Sequence, residues 1–257
     1  MTAAAPPYAE LAAATNFSFL RGASRADEMV LTSLLLGHAG LGVADRNTHA
    51  GVVRAWSVLK ELREGGTPPP IRRRMGSGPG EFHFEPLKAP PGPLPELPQD
   101  EESTAFRAAL RMRAGAFRLV TGARLVFADE TPDIVVHPAS RSGWGRLCRL
   151  LTLGNRRARK GECHLERDDL LADARDLLLI VMPGRNRRNL PALLPRLGEA
   201  APGALWLGAA MPRLGDDRRR LAELKGIGIA AGVPLLATND ALYADPSARD
   251  LQDVLTC

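Results

Sequence analysis

The residues of this 257-residue chain that can do chemistry are few, and most stand where chemistry has no second partner. His49 follows Asp45 by one turn, but a lone histidine beside arginines reads as a capping or packing residue. His137 ends an apolar run, is followed by Pro138 and has no second histidine nearby, so it too reads as structural. His38 lies near a helix end, where its charge suits the dipole. Cys148, Cys163 and Cys257 are widely spaced, with no C-x-x-C, and Cys148 falls on the apolar side of a helix with Leu147 and Leu151. No Ser/His/Asp or Cys/His arrangement for nucleophilic catalysis emerges. The stretch Ala12–Ser24 has the look of a strand-to-helix loop, where α/β folds place their sites, yet it holds no His, Cys or Glu. Its most functional-looking residue is Arg21. The basic set Arg146, Arg149, Arg156, Arg157, Arg159 and Lys160 is the best candidate for contacts with phosphate or DNA. The opposing reading, which the balance favours, is a solvated helix end with cations near the negative pole of its dipole. Few aromatics interleave with the run, so base stacking of the single-strand-binding kind is not supported. Arg185 to Arg188 form a second cluster of the same character.

The elements that must position these residues follow from composition and pattern. A hydrophobic content of 45%, a charged content of 25% and a formal charge of +5 describe an ordinary soluble chain, large enough for one α/β core or two small ones. The charge permits a polyanionic partner, but arginine richness also follows from GC-rich coding and carries little weight. Met1–Ala14 lacks a basic leader, and no apolar run approaches the ~18 residues of a membrane span, so a cytoplasmic location is expected. Strands are expected at Leu41–Ala44, Phe117–Phe127 with a kink at Gly122, Ile134–His137, Leu177–Met182, Leu205–Ala209 and Pro234–Thr238. Helices are expected from Ser24, as cap of an S-x-x-D box with Asp27, and at Ala50–Arg63, Trp144–Leu153, Leu190–Leu197 and Asp217–Gly232. Strand-then-helix alternation predicts a parallel sheet, open or closed into a barrel.

Gly65 to about Arg113 breaks this rhythm with three proline clusters and the turn-rich Gly76–Gly80. A stretch this long without pattern reads as an inserted surface excursion with a short helix near Ser103–Met112, pinned to the body by Phe82, His83 and Phe84. The expected organisation is thus a barrel domain of residues 1–64 and 114–257 with residues 65–113 inserted. Ser247–Cys257 reads as an amphipathic helix, with Leu251, Val254 and Leu255 on one face, that stops mid-pattern, as a piece of a longer polypeptide would.

Several phrases then take on a family meaning: Thr15–Ser24 (TNFSFLRGAS), Asp45–Gly51 (DRNTHAG), Gly143–Thr152 (GWGRLCRLLT) and Ala237–Asp240 (ATND), supported by Gly154–Glu162 and Leu251–Leu255. Together they resemble the N-terminal PHP (polymerase and histidinol phosphatase) domain of bacterial C-family DNA polymerases, nearest to the error-prone, translesion branch. The resemblance implies a distorted (β/α)7, TIM-like barrel with a site at the C-terminal ends of its strands. In active members that mouth holds divalent ions on His, Asp, Glu and Cys side chains and hydrolyses phosphoesters. Carried over position by position, the ligand pattern fails. The two histidines of the opening H-x-H fall on Ala12 and Ala14, and the Asp of the next phrase on Arg21. The His of the D-H-G phrase falls on Arg46 beside a retained Asp45, and a strand-ending Glu falls on Arg124. Further on, a His falls on Asp133 and a Cys on Met182; in the closing N-D-x-H phrase Asp240 survives but the His is Leu242.

Alanine and leucine offer no lone pair, and arginine is a permanent cation without an acceptor. A guanidinium at about 5 Å from a divalent ion, at an effective dielectric near 20, contributes roughly 6–7 kcal/mol of repulsion before screening. The expectation is therefore an ion-pair plug in which Asp45, Asp133 and Asp240 accept from Arg21, Arg46 and Arg124. The resemblance implies a non-catalytic part of a nucleotidyltransferase, with no cofactor of its own and magnesium serving a polymerase site elsewhere. Implied partners are the remaining polymerase domains, primer–template DNA, the sliding clamp and other mutagenesis proteins, in damage-induced translesion synthesis. Two rivals stand beside it: a phosphoesterase or 3′–5′ exonuclease with a reduced metal set (Asp45, Asp133, Asp240 and His49), and an arginine-lined mouth that binds phosphate or DNA ends without cleaving them.

Overall fold

A computed structural model describes residues 7–66, 101–184 and 187–257. The proline clusters, the Phe82–His83–Phe84 anchor and Arg185 lie outside the described residues. Seven strands form one curled sheet in sequence order: β1 (Ala9–Ala13), β2 (Gly40–Arg46), β3 (Arg118–Leu125), β4 (Ile134–Pro138), β5 (Leu177–Val181), β6 (Leu205–Ala209) and β7 (Leu235–Ala237). Helices α1 (Ala26–Leu35), α2 (Ala50–Arg63), α3 (Glu101–Ala116), α4 (Arg141–Arg157), α5 (Arg167–Ala172), α6 (Leu190–Ala200), α7 (Asp217–Ala231) and α8 (Arg249–Thr256) complete it. Helices cover the outer face, so the central strands are buried on both sides and read as unbroken apolar runs, as in Leu177–Val181. Ala12, Ala44, Val135, Ile180 and Met182 form a separate buried cluster. This is the TIM-barrel-like mixed α/β architecture expected, as a curled half-barrel.

The expectation of a parallel sheet needs correction at one strand. β4 runs antiparallel to both β3 and β5, while the other neighbours are parallel. The reason is the connection: residues 126–133 carry no helix, and about a dozen residues are needed to cross over to a parallel neighbour. The reversal matters for the site, because it delivers Asp133, just before β4, to the end of the sheet where β3 finishes.

No ladder joins β1 to β7 among the described residues. The seam is held instead by Glu10, which is 2% exposed. Its carboxylate accepts from Thr238 Oγ1 (2.5 Å), the Asn239 amide (2.7 Å), the Ala12 amide (2.7 Å) and the Tyr8 hydroxyl (2.6 Å). Nearby, the Ala14 and Ala23 amides donate to the carbonyls of Ala241 and Leu242. Burial, and then the Glu10 carboxylate, push the Tyr8 phenol well above its ordinary pKa, so it stays a donor.

Two local expectations also change. The cap of α1 is Arg25, whose amide donates to the Glu28 carboxylate at 2.8 Å; Ser24 instead accepts from the Ala244 amide at 2.9 Å. Gly122 marks no kink: β3 pairs continuously from Gly40↔Arg118 to Arg46↔Arg124. The glycine is needed because the His137 ring lies over it, and a Cβ there would meet Nδ1 at 2.3 Å. His137 is structural, as the sequence suggests. Nδ1 and Nε2 lie 2.9 Å from the carbonyls of Thr121 and Leu11, and the neutral ring that burial favours donates to one of them, so it sits between β4, β3 and β1 and bonds β4 to one of the two. His137→Leu should therefore destabilise the chain by about 2–4 kcal/mol in urea unfolding, by stranding a buried carbonyl and repacking the space between the strands.

The helix expected near Ser103–Met112 is the longer α3. It packs on the body, burying Leu110 and Ala114, while Arg63 donates to the carbonyls of Ala114 and Phe117. At the other end of the chain, α8 leaves Leu251 and Val254 exposed.

Candidate functional site at the barrel mouth

The C-terminal ends of the strands open into a cleft of about 860 Å³. Arg21, Arg124, Asp133, Met182, Asp240 and Leu242 all line it, so six of the positions singled out in the sequence come together. At its centre stands Arg124, the penultimate residue of β3, with only 3% of its side chain exposed. One guanidinium nitrogen donates to Asp133 at 3.2 Å and the other to Asp240. Asp240 also accepts from Arg21 at 3.0 Å, and so bridges two cations. A positive φ of 50° turns Asp240 inward, in a bend held by its own amide on Thr238 Oγ1. Arginine serves here because its planar fork can reach two carboxylates at once. Both carboxylates are committed to guanidiniums, and the Nε atoms of Arg21 and Arg124 are buried without a partner.

The plug is smaller than expected. Asp45 is not part of it: fully buried at the end of β2, it accepts from the Thr15 amide (2.7 Å), Thr15 Oγ1 and Ser18 Oγ (2.7 Å). Its pocket needs Gly51, where a Cβ would lie 2.1 Å from Asp45 Oδ2. The hydroxyls of the Ala12–Ser24 loop thus serve to anchor that loop on β2. Gly22 completes it, since a Cβ there would meet the Thr15 carbonyl at 2.0 Å. Arg46 is likewise outside the plug. Register sets it beside Arg124 on the same face of the sheet, but its side chain is exposed, does not line the cleft and makes no ion pair with a described residue, and its amide donates to Ser18 Oγ. Ala12 and Ala14 are fully buried and contribute methyl groups.

Residues that sequence reasoning missed are Glu10, Tyr8, Thr238 and Asn239 at the seam, and Arg220, which donates to the Ala210 carbonyl on the cleft wall. A glutamate inside the apolar strand Ala9–Ala13 was a signal, because a buried charge demands partners.

The other candidates are structural. His49 precedes α2, places Nδ1 3.1 Å from the Gly122 carbonyl and packs on Trp144 with ring centroids 4.4 Å apart. Burial pushes its pKa down. His38 packs edge-on against Tyr8, and burial lowers its pKa too, which works against the dipole role expected of it. Cys148 sits at the edge of the core, not within it, and burial pushes its thiol up, away from the reactive thiolate. Among the described residues, no group of three or more His, Cys, Asp or Glu side chains is arranged to hold a metal.

No protein-family profile matches the chain. It is 41% identical over 252 residues to an error-prone DNA polymerase of Brucella abortus, a match covering 97% of this chain and 19% of that protein. It is 43% identical to error-prone DNA polymerase 1 of Rhizobium meliloti, covering 97% of this chain and 18% of that one. The chain matches the N-terminal part of error-prone DNA polymerases. It spans about a fifth of the length of these relatives. Among solved structures, an amidohydrolase from Chromobacterium violaceum superposes with a TM-score of 0.50 at 12% identity, covering 91% of this chain and 87% of that one. At that identity the likeness concerns the fold alone. No helix among the described residues is long and apolar enough to cross a membrane.

Proposed function

We propose that this barrel is a PHP-type domain whose hydrolytic site has been replaced by an ion-pair clasp, and that it serves as a non-catalytic scaffold in an error-prone polymerase. The observation that carries this is the commitment of Asp133 and Asp240 to Arg124 and Arg21. Two fixed cations stand where a divalent ion would gather, and both carboxylates of the clasp are already neutralised by them. The reduced-metal phosphoesterase is the weaker reading. Two of its four ligands are engaged elsewhere, Asp45 by Thr15 and Ser18 and His49 by Gly122 and Trp144. A phosphate-binding mouth would have to rely on Arg21 and Arg124, since Arg46 does not line the cleft.

Within that reading, a mouth without exonuclease chemistry suits an enzyme that extends mispairs opposite damaged bases, since proofreading would remove them. The remaining polymerase domains, primer–template DNA, a sliding clamp and other mutagenesis proteins are its proposed partners, in the cytoplasm. Magnesium would serve the polymerase centre and not this mouth. Protein purified without chelator should carry zinc and manganese at trace levels, measured by inductively coupled plasma mass spectrometry. With added manganese it should release no nucleotide from 3′-ended DNA. Near-stoichiometric metal, or turnover abolished by Asp240→Ala, would establish the phosphoesterase instead.

A further inference from the structure

The chain's positive charge is not spread over its surface. Residues 141–160 hold six arginines and one lysine with no acid, leaving the other 237 residues at a net charge of −2. This stretch is α4 and the turn after it. Two of its seven cations are neutralised by carboxylates from neighbouring elements. Arg146 pairs with Asp173 at 3.0 Å and Asp176 at 2.8 Å, and Arg157 pairs with Asp169 at 2.6 Å. Both were candidates for phosphate contact, and these ion pairs give them a structural role. Arg141, Arg149, Arg156, Arg159 and Lys160 are exposed and have no carboxylate partner among the described residues.

Their arrangement follows from helix geometry. Gly143, Leu147, Leu150, Leu151 and Gly154 face the core, which puts Arg149, Thr152 and Arg156 on the opposite, outermost line. Arg149 and Arg156 lie two turns apart, about 10 Å along the axis, far enough for each to meet a different phosphate of one strand. They border a shallow groove with Thr152, Leu153 and Arg157, and Arg159 and Lys160 follow, exposed, in the turn after the helix. A helix dipole accounts for cations in the last turn, where Arg156 and Arg157 stand, but not for Arg149 in the middle of the helix. The contrast with α7 is informative: Arg218, Arg219 and Arg220 there are accompanied by Asp216, Asp217 and Glu223.

We infer that the outer line of α4, through Arg149 and Arg156, together with Arg159 and Lys160 in the turn after it, binds the sugar–phosphate backbone of a nucleic acid, on a surface that shares no lining residue with the cleft of the clasp. The charge pattern by itself selects a polyanion; the choice of nucleic acid rests on the polymerase reading above. Binding would be independent of sequence, since nothing here is placed to read base edges. The test is fluorescence anisotropy of the 257-residue chain with a labelled 20-nucleotide single strand and the corresponding duplex, over a series of salt concentrations. The double variant Arg149→Ala/Arg156→Ala should weaken binding about tenfold and reduce the salt slope by about 1.4 on the single strand. Arg218→Ala/Arg219→Ala removes the same charge from α7 and should leave affinity nearly unchanged. Equal loss in both double variants would mean diffuse attraction and overturn the assignment. So would absence of DNA binding, or binding to phosphatidylserine vesicles alone. None of these outcomes bears on the metal analysis, so the two readings fail separately.

Discussion

Arg124→Leu is expected to be among the most damaging single changes at the mouth, lowering unfolding free energy by about 2–4 kcal/mol at neutral pH. The substitution keeps an apolar stem inside the sheet but leaves Asp133 without its cation and Asp240 with Arg21 alone. The value sits toward the low end for a broken buried pair because the two carboxylates are 30% and 25% exposed, and water can partly replace the guanidinium. Adding Asp240→Asn to Arg124→Leu should cost less than the sum of the single changes, since the orphaned charge is removed with its partner. Denaturant unfolding of the four proteins in that cycle measures the coupling. Strict additivity would mean that the clasp is geometric coincidence, not an energetic unit.

Glu10→Ala should be comparably severe, about 3–4 kcal/mol, for a different reason. Four donors converge on this carboxylate, two from β1 and Tyr8 and two from the segment after β7, and the seam has no ladder to fall back on. Alanine strands them all, two being backbone amides with no rotamer to seek another acceptor. Glu10→Gln should lie between, because its amide keeps one acceptor oxygen but turns an NH2 toward donors. Hydrogen exchange gives a local readout: the Ala12 and Asn239 amides should lose protection in Glu10→Ala beyond what the global destabilisation explains. Unchanged exchange at those amides would mean that the seam is held by something other than Glu10.

The same contrast separates what sequence and structure each contribute. Element type was legible wherever a period was strong. The strands at Leu177–Val181 and Leu205–Ala209 and the helices at Ala50–Arg63 and Asp217–Ala231 stand close to where apolar spacing puts them. The family resemblance was legible too, because TNFSFLRGAS and DRNTHAG are local phrases. Charge partnership was not. That Asp45 belongs to Thr15 and Ser18, that Arg46 faces water, and that Arg146 is consumed by Asp173 and Asp176 depend on which way neighbouring strands and loops bring their side chains.

From its sequence, the chain reads as an α/β barrel, and its resemblance to PHP domains implies a mouth with methyls and guanidiniums at metal-ligand positions; that alanine, leucine and arginine side chains offer a metal no lone pair needs no coordinates. Only the tertiary structure decided which carboxylates those guanidiniums meet, that a buried glutamate closes the seam, and where the uncompensated positive charge lies. Ion pairs and buried hydrogen bonds join residues far apart in the chain, Arg21 with Asp240 and Glu10 with Asn239, and no spacing rule along a sequence encodes a contact made across a fold.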